Sequence, residues 1–503
     1  MVQAILKNSK QSVSPLQAAL KRTWLEFCDS SSIHGLKYTQ DRDTNKFVRS
    51  IWMVITLIMF ICAILMVINI YLDYRSNPTR LNIEKNHAPI ESLTFPAVTI
   101  CPETTFNVEQ SKKYLGELTL PAGINVTQII PMLSTSQGFL NDDDVYNETH
   151  VLLLQSIQDL NNLSTLSFMK HLHWNCEDII FRCRFKWQTM DCKQLLQLSR
   201  TFFGYCCSFN LNQNGLNYTA QHARAGLFNG LSLILQYNDT DYGEMATYSD
   251  GFKVLISEND AFPSAHSIIK FVPLHQETFF SVRPIETYCS RDVKELSVDQ
   301  RQCVLPHEFP LKHFEQYVGM NCELECRVQN MLAICGCVTY FFYVNDTAER
   351  VCSFRDVPCL RDNFAAIIGR SLNMQFYCPN TCEIIDFNVE LTNAELNIDI
   401  PTVDDFYNNI QANHTVVHIF MNNQVYRRAR RDLLSNMVTL VSNLGSAFSL
   451  FVGVSMISIV EVIYYLTVVL RKHYVEELEM REKLRKIPIN WYNKMEKIDK
   501  ARK

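Results

Sequence analysis

The 503-residue sequence has no surplus of positive charge. Its 47 Lys+Arg residues are balanced by 52 Asp+Glu residues, and the formal net charge is −5. Nucleic-acid-binding proteins carry a basic footprint, so nucleic acid is not an expected partner. With 47% hydrophobic and 20% charged residues, the composition also excludes an intrinsically disordered chain.

Long uncharged runs are scarce as well, which excludes a membrane protein with many spans. Only two runs are long enough to cross a bilayer, residues 50–72 and 433–460, and past the single Glu461 the second stays apolar to Leu470. A bilayer core of roughly 30 Å needs about 20 helical residues. The sequence therefore predicts two transmembrane helices, at 50–72 and 433–470.

The charges are distributed unevenly around these two runs. Residues 1–49 and 471–503 carry an excess of Lys and Arg, whereas residues 73–432 are acidic. By the positive-inside rule, both tails are cytoplasmic and the middle segment is extracellular, as expected in the plasma membrane. The first apolar run is too long for the apolar region of a cleaved signal peptide, so we expect it to serve as its own signal-anchor.

Glycosylation signals and cysteines agree with an extracellular middle segment. All N-x-Ser/Thr sequons fall there, at Asn125, Asn147, Asn162, Asn217, Asn238, Asn345 and Asn413. Sixteen of the 18 cysteines do too, which predicts up to eight disulfides, whereas Cys28 and Cys62 should stay reduced. The candidates for bridges are Cys101, Cys176, Cys183, Cys192, Cys206, Cys207, Cys289, Cys303, Cys322, Cys326, Cys335, Cys337, Cys352, Cys359, Cys378 and Cys382.

A zinc site is the competing interpretation of the cysteine-dense region 311–372. The spacings lack two matched C-x2-C pairs, and an oxidising compartment disfavours thiolate ligands. We therefore expect no metal and no cofactor. Cys322 and Cys326 lie four residues apart, so on a helix both sulfurs point the same way and can tie the helix to later loops.

The segment 73–432 has no Pro/Gly-rich linker, and the chain has no internal repeat or low-complexity tract, so one extracellular domain is expected. Runs rich in β-branched residues predict strands that meet in one sheet, at 93–100, 227–236, 252–257 and 416–420. Helix-like spacing occurs at 151–160 and 194–200. The fold class is a membrane α+β protein, with two transmembrane helices flanking a disulfide-rich domain that has a central β-sheet and peripheral helices.

The second apolar run is unusual for a lipid-facing helix. A helix over 433–470 would be roughly 57 Å long, nearly twice the hydrocarbon core, so it must tilt, extend beyond the bilayer or break. Its outer half is rich in small or polar residues, namely Ser442, Asn443, Gly445, Ser446, Ser449, Gly453 and Ser455. Such a stripe suits close helix packing as well as a pore. Glu461 should face water or protein, because a carboxylate is costly against lipid.

Several short motifs follow one another along the chain. They are His34-Gly35, the segments 95–101, 204–210 and 230–233, Cys335-Gly336-Cys337, and the run 444–461 with its Gly453-x-Ser455 signature. Taken in order, over about residues 30–470, they resemble the degenerin/epithelial sodium channel family, and most closely its insect pickpocket branch. The resemblance implies a trimeric, amiloride-sensitive cation channel, usually sodium-preferring, built as a homo- or heterotrimer with related subunits and conducting sodium ions.

The resemblance also implies roles for individual residues. Gly453, Val454 and Ser455 correspond to the selectivity filter, and His34-Gly35 to the cytoplasmic gating motif. Ser442 stands at a gating position where a bulky side chain props the pore open, and Ser449 at the position that contacts amiloride. Glu461 would be a pore acid.

One departure concerns the cysteines before the last strands. Many relatives have Cys-x-Cys-x3-Cys there, but this chain has only Cys378-x3-Cys382, with Phe376 at the first position. One inherited disulfide is therefore lost or rewired. Cys289 is a candidate for the replacement pairing.

The leading hypothesis is a subunit of a voltage-independent, sodium-permeable channel, gated through its extracellular domain, in a sensory or epithelial setting. The alternative is a two-span glycosylated scavenger or adhesion receptor without a pore. An ATP-gated channel shares the topology, but its lysine-rich nucleotide site is missing. We do not expect an enzyme, because His171-x-His173 lacks a nucleophile elbow or a ligand set. The charged segment 475–486 suits either anionic membrane lipid or a solvated helix face.

Overall fold

The computed structural model describes residues 14–41, 44–76, 78–133, 147–212, 220–237, 250–342, 349–369 and 378–485. The chain forms two compact units. One combines Met1–Arg80 with Leu433–Lys503, and the other is Leu81–Asp432.

The helices of the described residues are α1 (Pro15–Ser30), α2 (Leu36–Gln40), α3 (Lys46–Ser76), α4 (Val108–Glu117), α5 (Val126–Ile129), α6 (Glu148–Leu160), α7 (Thr165–Leu172), α8 (Cys176–Ile179), α9 (Cys192–Leu195), α10 (Arg291–Lys294), α11 (Val298–Arg301), α12 (Gly319–Cys335), α13 (Val357–Asp362), α14 (Phe364–Ile367), α15 (Met437–Val452), α16 (Met456–Tyr464) and α17 (Leu470–Arg485). A π-helical stretch, Tyr465–Val469, joins α16 to α17.

The strands are β1 (Thr79–Pro89), β2 (Ala97–Pro102), β3 (Ile180–Phe185), β4 (Gln188–Met190), β5 (Leu196–Thr201), β6 (Gly204–Phe209), β7 (Leu231–Gln236), β8 (Gly251–Ser257), β9 (Ile268–Pro273), β10 (Gln276–Cys289), β11 (Ile384–Glu395), β12 (His414–Met421) and β13 (Val425–Leu433).

The larger sheet has eight strands in the order β1-β13-β10-β12-β7-β3-β4, with β11 also paired to β10. The long strand β10 organises it. Along one edge β10 runs antiparallel to β11, from Gln276 to Thr287, and along the other it runs parallel first to β12 and then to β13. The excursion 290–383 leaves this sheet at the end of β10 and returns to it at β11.

The smaller sheet has five strands in the order β5-β6-β2-β8-β9. The prediction that all four strand-like runs meet in one sheet is therefore wrong. β7 and β12 are neighbours in the larger sheet, but β2 and β8 are neighbours in the smaller one. Strand β2 pairs with β6 on one edge and with β8 on the other, so both rows of its backbone hydrogen-bonding groups are used within the smaller sheet.

One hydrophobic core joins strands from both sheets. Phe95 packs edge-on against Phe185 of β3 and Phe209 of β6, with ring centroids 5.7 Å apart in both cases. A second core lies among the helices and the cysteine-rich region, where Phe168 of α7 packs against Phe354. Apolar burial on this scale is the main stabilising contribution to the unit 81–432.

The helix predictions succeed in one case and fail in the other. α6 covers 151–160 as expected, with Val151, Leu154 and Ile157 buried on one face. Residues 194–200, in contrast, end the short helix α9 and then form β5, which pairs antiparallel with β6. The helical spacing was misleading because pairing with β6 satisfies the backbone of this segment, so tertiary context overrides local pattern.

Seven disulfides stabilise the unit Leu81–Asp432, rather than the eight that the cysteine count allowed. They join Cys101–Cys206, Cys176–Cys207, Cys183–Cys192, Cys303–Cys382, Cys322–Cys378, Cys335–Cys359 and Cys337–Cys352. The free cysteines are Cys28, Cys62, Cys289 and Cys326.

The proposed replacement pairing of Cys289 is therefore not formed, and Cys326 also lacks a bridge. Cys322 and Cys326 do share a face of α12, as predicted, but both face the same sulfur, that of Cys378. Cys378 bonds to Cys322, and the Cys326 sulfur lies 3.9 Å from the Cys378 sulfur. Cys289 likewise faces sulfurs that already bond to each other, those of Cys303 and Cys382.

Candidate functional site

The unit formed by the two ends of the chain contains the helices that are candidates to span a membrane. α3 is long and apolar enough to cross a bilayer, by length and composition. α15 and the helix that starts at Met456 pass the same test only together, as a pair bent by 71° at a short break. The excess length of the second apolar run is thus resolved by a break, one of the three outcomes that the sequence left open.

The break consists of Gly453, Val454 and Ser455. Gly453 ends α15 in the left-handed conformation, with φ 71°, which L-residues with a side chain rarely adopt. Its N–H donates to the Ser449 carbonyl at 3.0 Å, and the Val454 N–H donates to the Phe448 carbonyl at 3.4 Å. These two bonds close the helix end in the way glycine C-caps commonly do.

Ser455 is the N-cap of α16, the helix that follows the break. The Ser455 N–H donates to Ser458 Oγ at 3.1 Å, and the Ser458 N–H donates to Ser455 Oγ at 3.3 Å. This reciprocal capping box fixes where α16 begins. The chain therefore turns sharply at three residues whose conformation is specified on both sides.

The His34-Gly35 pair lies directly against this break. The His34 N–H donates to the Val452 carbonyl at 2.9 Å, and a Cβ added at Gly453 would lie 2.5 Å from His34 Nδ1. Gly35 is also left-handed, with φ 79°, and a Cβ there would lie 2.8 Å from Thr56 Oγ1 of α3. Both glycines are thus required by backbone conformation and by close packing.

Glu461 is held by the residues that precede His34. Its carboxylate accepts hydrogen bonds from Ser32 Oγ at 3.1 Å and from the Ser32 N–H at 3.4 Å. Ser32 Oγ also lies 2.7 Å from Ser458 Oγ. Sequence reasoning singled out Glu461 but missed Ser32 and Ser458. Ser458 could have been found from its three-residue spacing from Ser455, which is the spacing of a capping box.

Helix α1 extends the same contact along α17. Thr23 Oγ1 and the Glu26 carboxylate each lie 3.0 Å from one ring nitrogen of the buried His473. Ser30 Oγ lies 2.5 Å from the Tyr465 hydroxyl. Burial, with the neighbouring Asp29 carboxylate, raises the pKa of the Cys28 thiol to about 11, so this free cysteine stays protonated.

The expected gating and blocker-contact residues lie on α15, the helix that precedes the break, and not at the His34 contact. Ser442 and Ser449 are both exposed in the single chain. They are seven residues apart, so they share one face of the helix. The Ser442 carbonyl accepts a hydrogen bond from Ser446 Oγ at 2.8 Å.

The sequons fall into three groups. Asn125, Asn147 and Asn162 are exposed, whereas Asn413 is half-buried. Asn217, Asn238 and Asn345 lie outside the described residues. His171 and His173, which the sequence did not favour as catalytic or metal-binding residues, have the following surroundings. His173 is a core residue, and His171 stacks on Tyr114 with ring centroids 4.7 Å apart.

The family model described as amiloride-sensitive sodium channel matches residues 27–465, which include the His34-Gly35 loop, the break and the entire disulfide-rich unit. The chain belongs to that family. This confirms the resemblance seen in the sequence and the expectation that the protein is a channel-family member rather than an enzyme.

Individual relatives agree with this assignment. The protein named sodium channel protein Nach of Drosophila ananassae is 53% identical, over 94% of this chain and 92% of its own length. Pickpocket protein 28 of Drosophila melanogaster is 22% identical, over 94% of this chain and 83% of its own. The epithelial sodium channel subunit alpha of Gallus gallus is also 22% identical, over 86% of this chain and 79% of its own.

Proposed function

We propose that this chain is a pore-forming subunit of a sodium-permeable, voltage-independent, amiloride-sensitive channel of the plasma membrane. Three subunits, identical or related, surround one pore, and both termini of each are cytoplasmic. The observation that carries this proposal is the broken second helix, with His34 seated against Gly453 at the break. An adhesion receptor without a pore does not need a membrane helix that is interrupted at Gly453 and packed there against His34.

The break supplies the chemistry of ion selection. A helix end leaves its last carbonyl groups without intrahelical partners. Three copies of the segment 453–455 around one axis would present carbonyl oxygens and the Ser455 hydroxyls as a narrow ring, which replaces part of the water shell of a sodium ion. The packing of His34 and the Ser455 cap keep this ring from deforming when an ion enters.

Residues on either side of the ring have roles that follow from their positions. Ser442 and Ser449 share the exposed face of α15, which suits a gate and a blocker contact above the ring. Glu461 lies below the ring, where its carboxylate attracts cations and is anchored by Ser32. The acidic segment 73–432 would raise the cation concentration outside the pore.

Other parts of the chain have supporting roles in this proposal. The extracellular domain receives the stimulus, and it is glycosylated at Asn125, Asn147, Asn162, Asn217, Asn238, Asn345 and Asn413. The basic helix α17, with Arg471 and Lys472 at its start, lies near anionic lipid headgroups at the cytoplasmic surface.

Voltage-clamp recording of oocytes expressing the chain, alone and with related subunits, tests this function. The Ser442→Phe variant should give a constant inward sodium current that amiloride blocks, because the bulky side chain holds the pore open. Val441→Phe is the matched control, since the neighbouring residue points about 100° away around the helix. Absence of any sodium-dependent current, for surface-expressed protein in every combination, would overturn the proposal and leave the receptor alternative.

A further inference from the structure

Three cysteine sulfurs meet at the neck of the excursion 290–383, where the chain leaves and rejoins the larger sheet. Cys303 and Cys382 form a disulfide, and Cys289 is a free thiol. All three are at least 98% buried, and their sulfur atoms lie within 4.8 Å of one another. A free thiol in contact with a disulfide is the arrangement that thiol–disulfide exchange requires.

The backbone places Cys382 between its two possible partners. On one side, Val304 bridges to Thr381, and the Cys382 N–H donates to the Val304 carbonyl at 2.9 Å. On the other side, β10 and β11 are antiparallel, and their last pair is Thr287 with Ile384. Residues 382 and 383 bend just before β11 begins, and the Cys289 thiol donates to the Cys382 carbonyl at 3.6 Å. The Cys289 and Cys382 sulfurs lie within 4.8 Å of each other, so a bridge between them needs only a short approach.

A nearby positive charge favours attack of Cys289 on Cys382, with Cys303 as the leaving group. Arg431 Nη1 lies 2.8 Å from Cys303 Sγ, the sulfur that would leave if Cys289 attacked Cys382. Burial raises the pKa of the Cys289 thiol above its ordinary value, so the thiol is protonated at rest. Arg431, Lys294 and Arg301 partly offset this rise in the pKa, whereas Glu383 adds to it.

We propose that Cys289, Cys303 and Cys382 form a thiol–disulfide exchange site with two bridged isomers. The Cys289 thiolate attacks Cys382 Sγ, the bond between Cys382 and Cys303 breaks, and its electron pair stays on the Cys303 sulfur beside Arg431. Cys303 then takes up a proton to replace the one that Cys289 lost. One disulfide and one thiol are present before and after, so no oxidant or reductant is consumed.

The two isomers hold the excursion differently. A Cys303–Cys382 bridge ties the segment after α11 to the returning chain. A Cys289–Cys382 bridge closes the neck itself and releases Cys303 together with the segment that leads to it. The Cys322–Cys378 bridge, four residues along, stays in place in both. The proposal concerns the covalent state of the chain and stands apart from the proposed sodium conduction.

Disulfide mapping of the full-length protein in detergent tests the proposal. Cys326→Ser serves as the parent, because it removes the other free thiol of this unit. The protein is incubated between pH 6 and pH 9, quenched in acid, denatured, alkylated and digested with trypsin. Cleavage after Arg291 and Arg301 places Cys289 and Cys303 in different peptides, so mass spectrometry identifies the partner of Cys382.

Both linked species should appear. The rate at which the Cys289–Cys382 species forms should rise about tenfold per pH unit, since only the thiolate attacks. Arg431→Gln should slow formation of the Cys289–Cys382 species several-fold. Arg428→Gln is the control and should not slow it, because the Arg428 guanidinium lies over the Tyr288 ring. Recovery of the Cys303–Cys382 species alone, with Cys289 alkylated at every pH, would overturn the proposal.

A second variant tests the geometry without relying on rates. Cys303→Ser in the same parent should form the Cys289–Cys382 bridge directly, and the denatured protein should have one free thiol fewer than the parent. If Cys289 and Cys382 do not meet, it will have one more. That count would contradict the proposal even if the variant expresses normally.

Discussion

The His34 ring occupies the space that a side chain at Gly453 would need, 2.5 Å from the position of the missing Cβ. The two residues are separated by most of the chain, yet the His34 N–H also donates to the Val452 carbonyl, next to Gly453. The His34-Gly35 loop and the helix break therefore form one packed element. We expect movement of the loop to change the geometry of the break.

Gly453→Ala should abolish or strongly reduce the sodium current. The left-handed conformation costs a residue with a side chain roughly 1–2 kcal/mol, and the new methyl group would displace His34. Gly445→Ala, within α15, is the control, because nothing lies within 4 Å of a Cβ at that position. Current is measured together with surface expression by biotinylation. A Gly453→Ala channel with normal current and selectivity would show that the contact is dispensable.

Ser32→Ala should weaken the attachment of the loop to α16, because Ser32 Oγ donates to Glu461 and contacts Ser458. Ser32→Ala and Glu461→Gln should be non-additive, with a coupling of about 1 kcal/mol in the opening equilibrium, the size of one hydrogen bond. Ser50→Ala is the control, because the Ser50 hydroxyl bonds only to its own helix, at the Lys46 carbonyl. Additive effects on open probability would argue against the contact in the working channel.

Acid should destabilise the disulfide-rich unit 81–432 through His173. Its Nδ1–H donates to the Met169 carbonyl, and complete burial lowers its pKa to about 4. The unfolded chain, with a pKa near 6.5, binds the proton first, so stability is full above pH 6.5 and is lost as pH falls toward 4, by about 3 kcal/mol. Thermal unfolding from pH 7.5 to 4 should show this slope reduced in His173→Gln and retained in His171→Gln. Equal slopes in both variants would exclude His173 as the cause.

Glu258 should give the opposite dependence. Burial, together with Asp386 and Asp260, raises its pKa to about 7, although the Ile385 N–H donates to its carboxylate. The folded state then binds the proton more tightly, so the contribution is full below pH 4.5 and is lost as pH rises through 7. Glu258→Gln keeps an acceptor for Ile385 and should stabilise the protein at pH 8 by up to about 3 kcal/mol. No gain at pH 8 relative to pH 5 would contradict this assignment.

Much of the site could be predicted from the sequence because it rests on short motifs. The length of the second apolar run required some departure from a single upright helix, and Gly453-x-Ser455 indicated where a break would fall. The sequence could not show that His34 and Ser32 lie at that break, because such contacts depend on how segments more than 400 residues apart pack together. Ser32 belongs to no motif, and its role is visible only through its contacts with Glu461 and Ser458.

The disulfide-rich unit 81–432 was also only partly predictable from the sequence. Individual strands were recognisable from β-branched runs, but their division between two sheets depends on edge pairing, which leaves no local pattern. The cysteine count allowed eight bridges, and the spacing of Cys322 and Cys326 was read correctly as a shared helix face. Seven bridges form because two cysteines on α12 face one partner sulfur, and because Cys289 faces two sulfurs that already bond to each other.

The most direct test of the central claim is cadmium block of a Ser455→Cys channel held open by Ser442→Phe. If three copies of the break surround the ion path, three thiolates converge there and bind the soft Cd²⁺ ion tightly. The account predicts that Cd²⁺ abolishes the amiloride-sensitive sodium current of this variant and spares that of Ser442→Phe alone. An unblocked current, with labelling that shows the new thiol to be reduced, would mean that Ser455 does not line the pore.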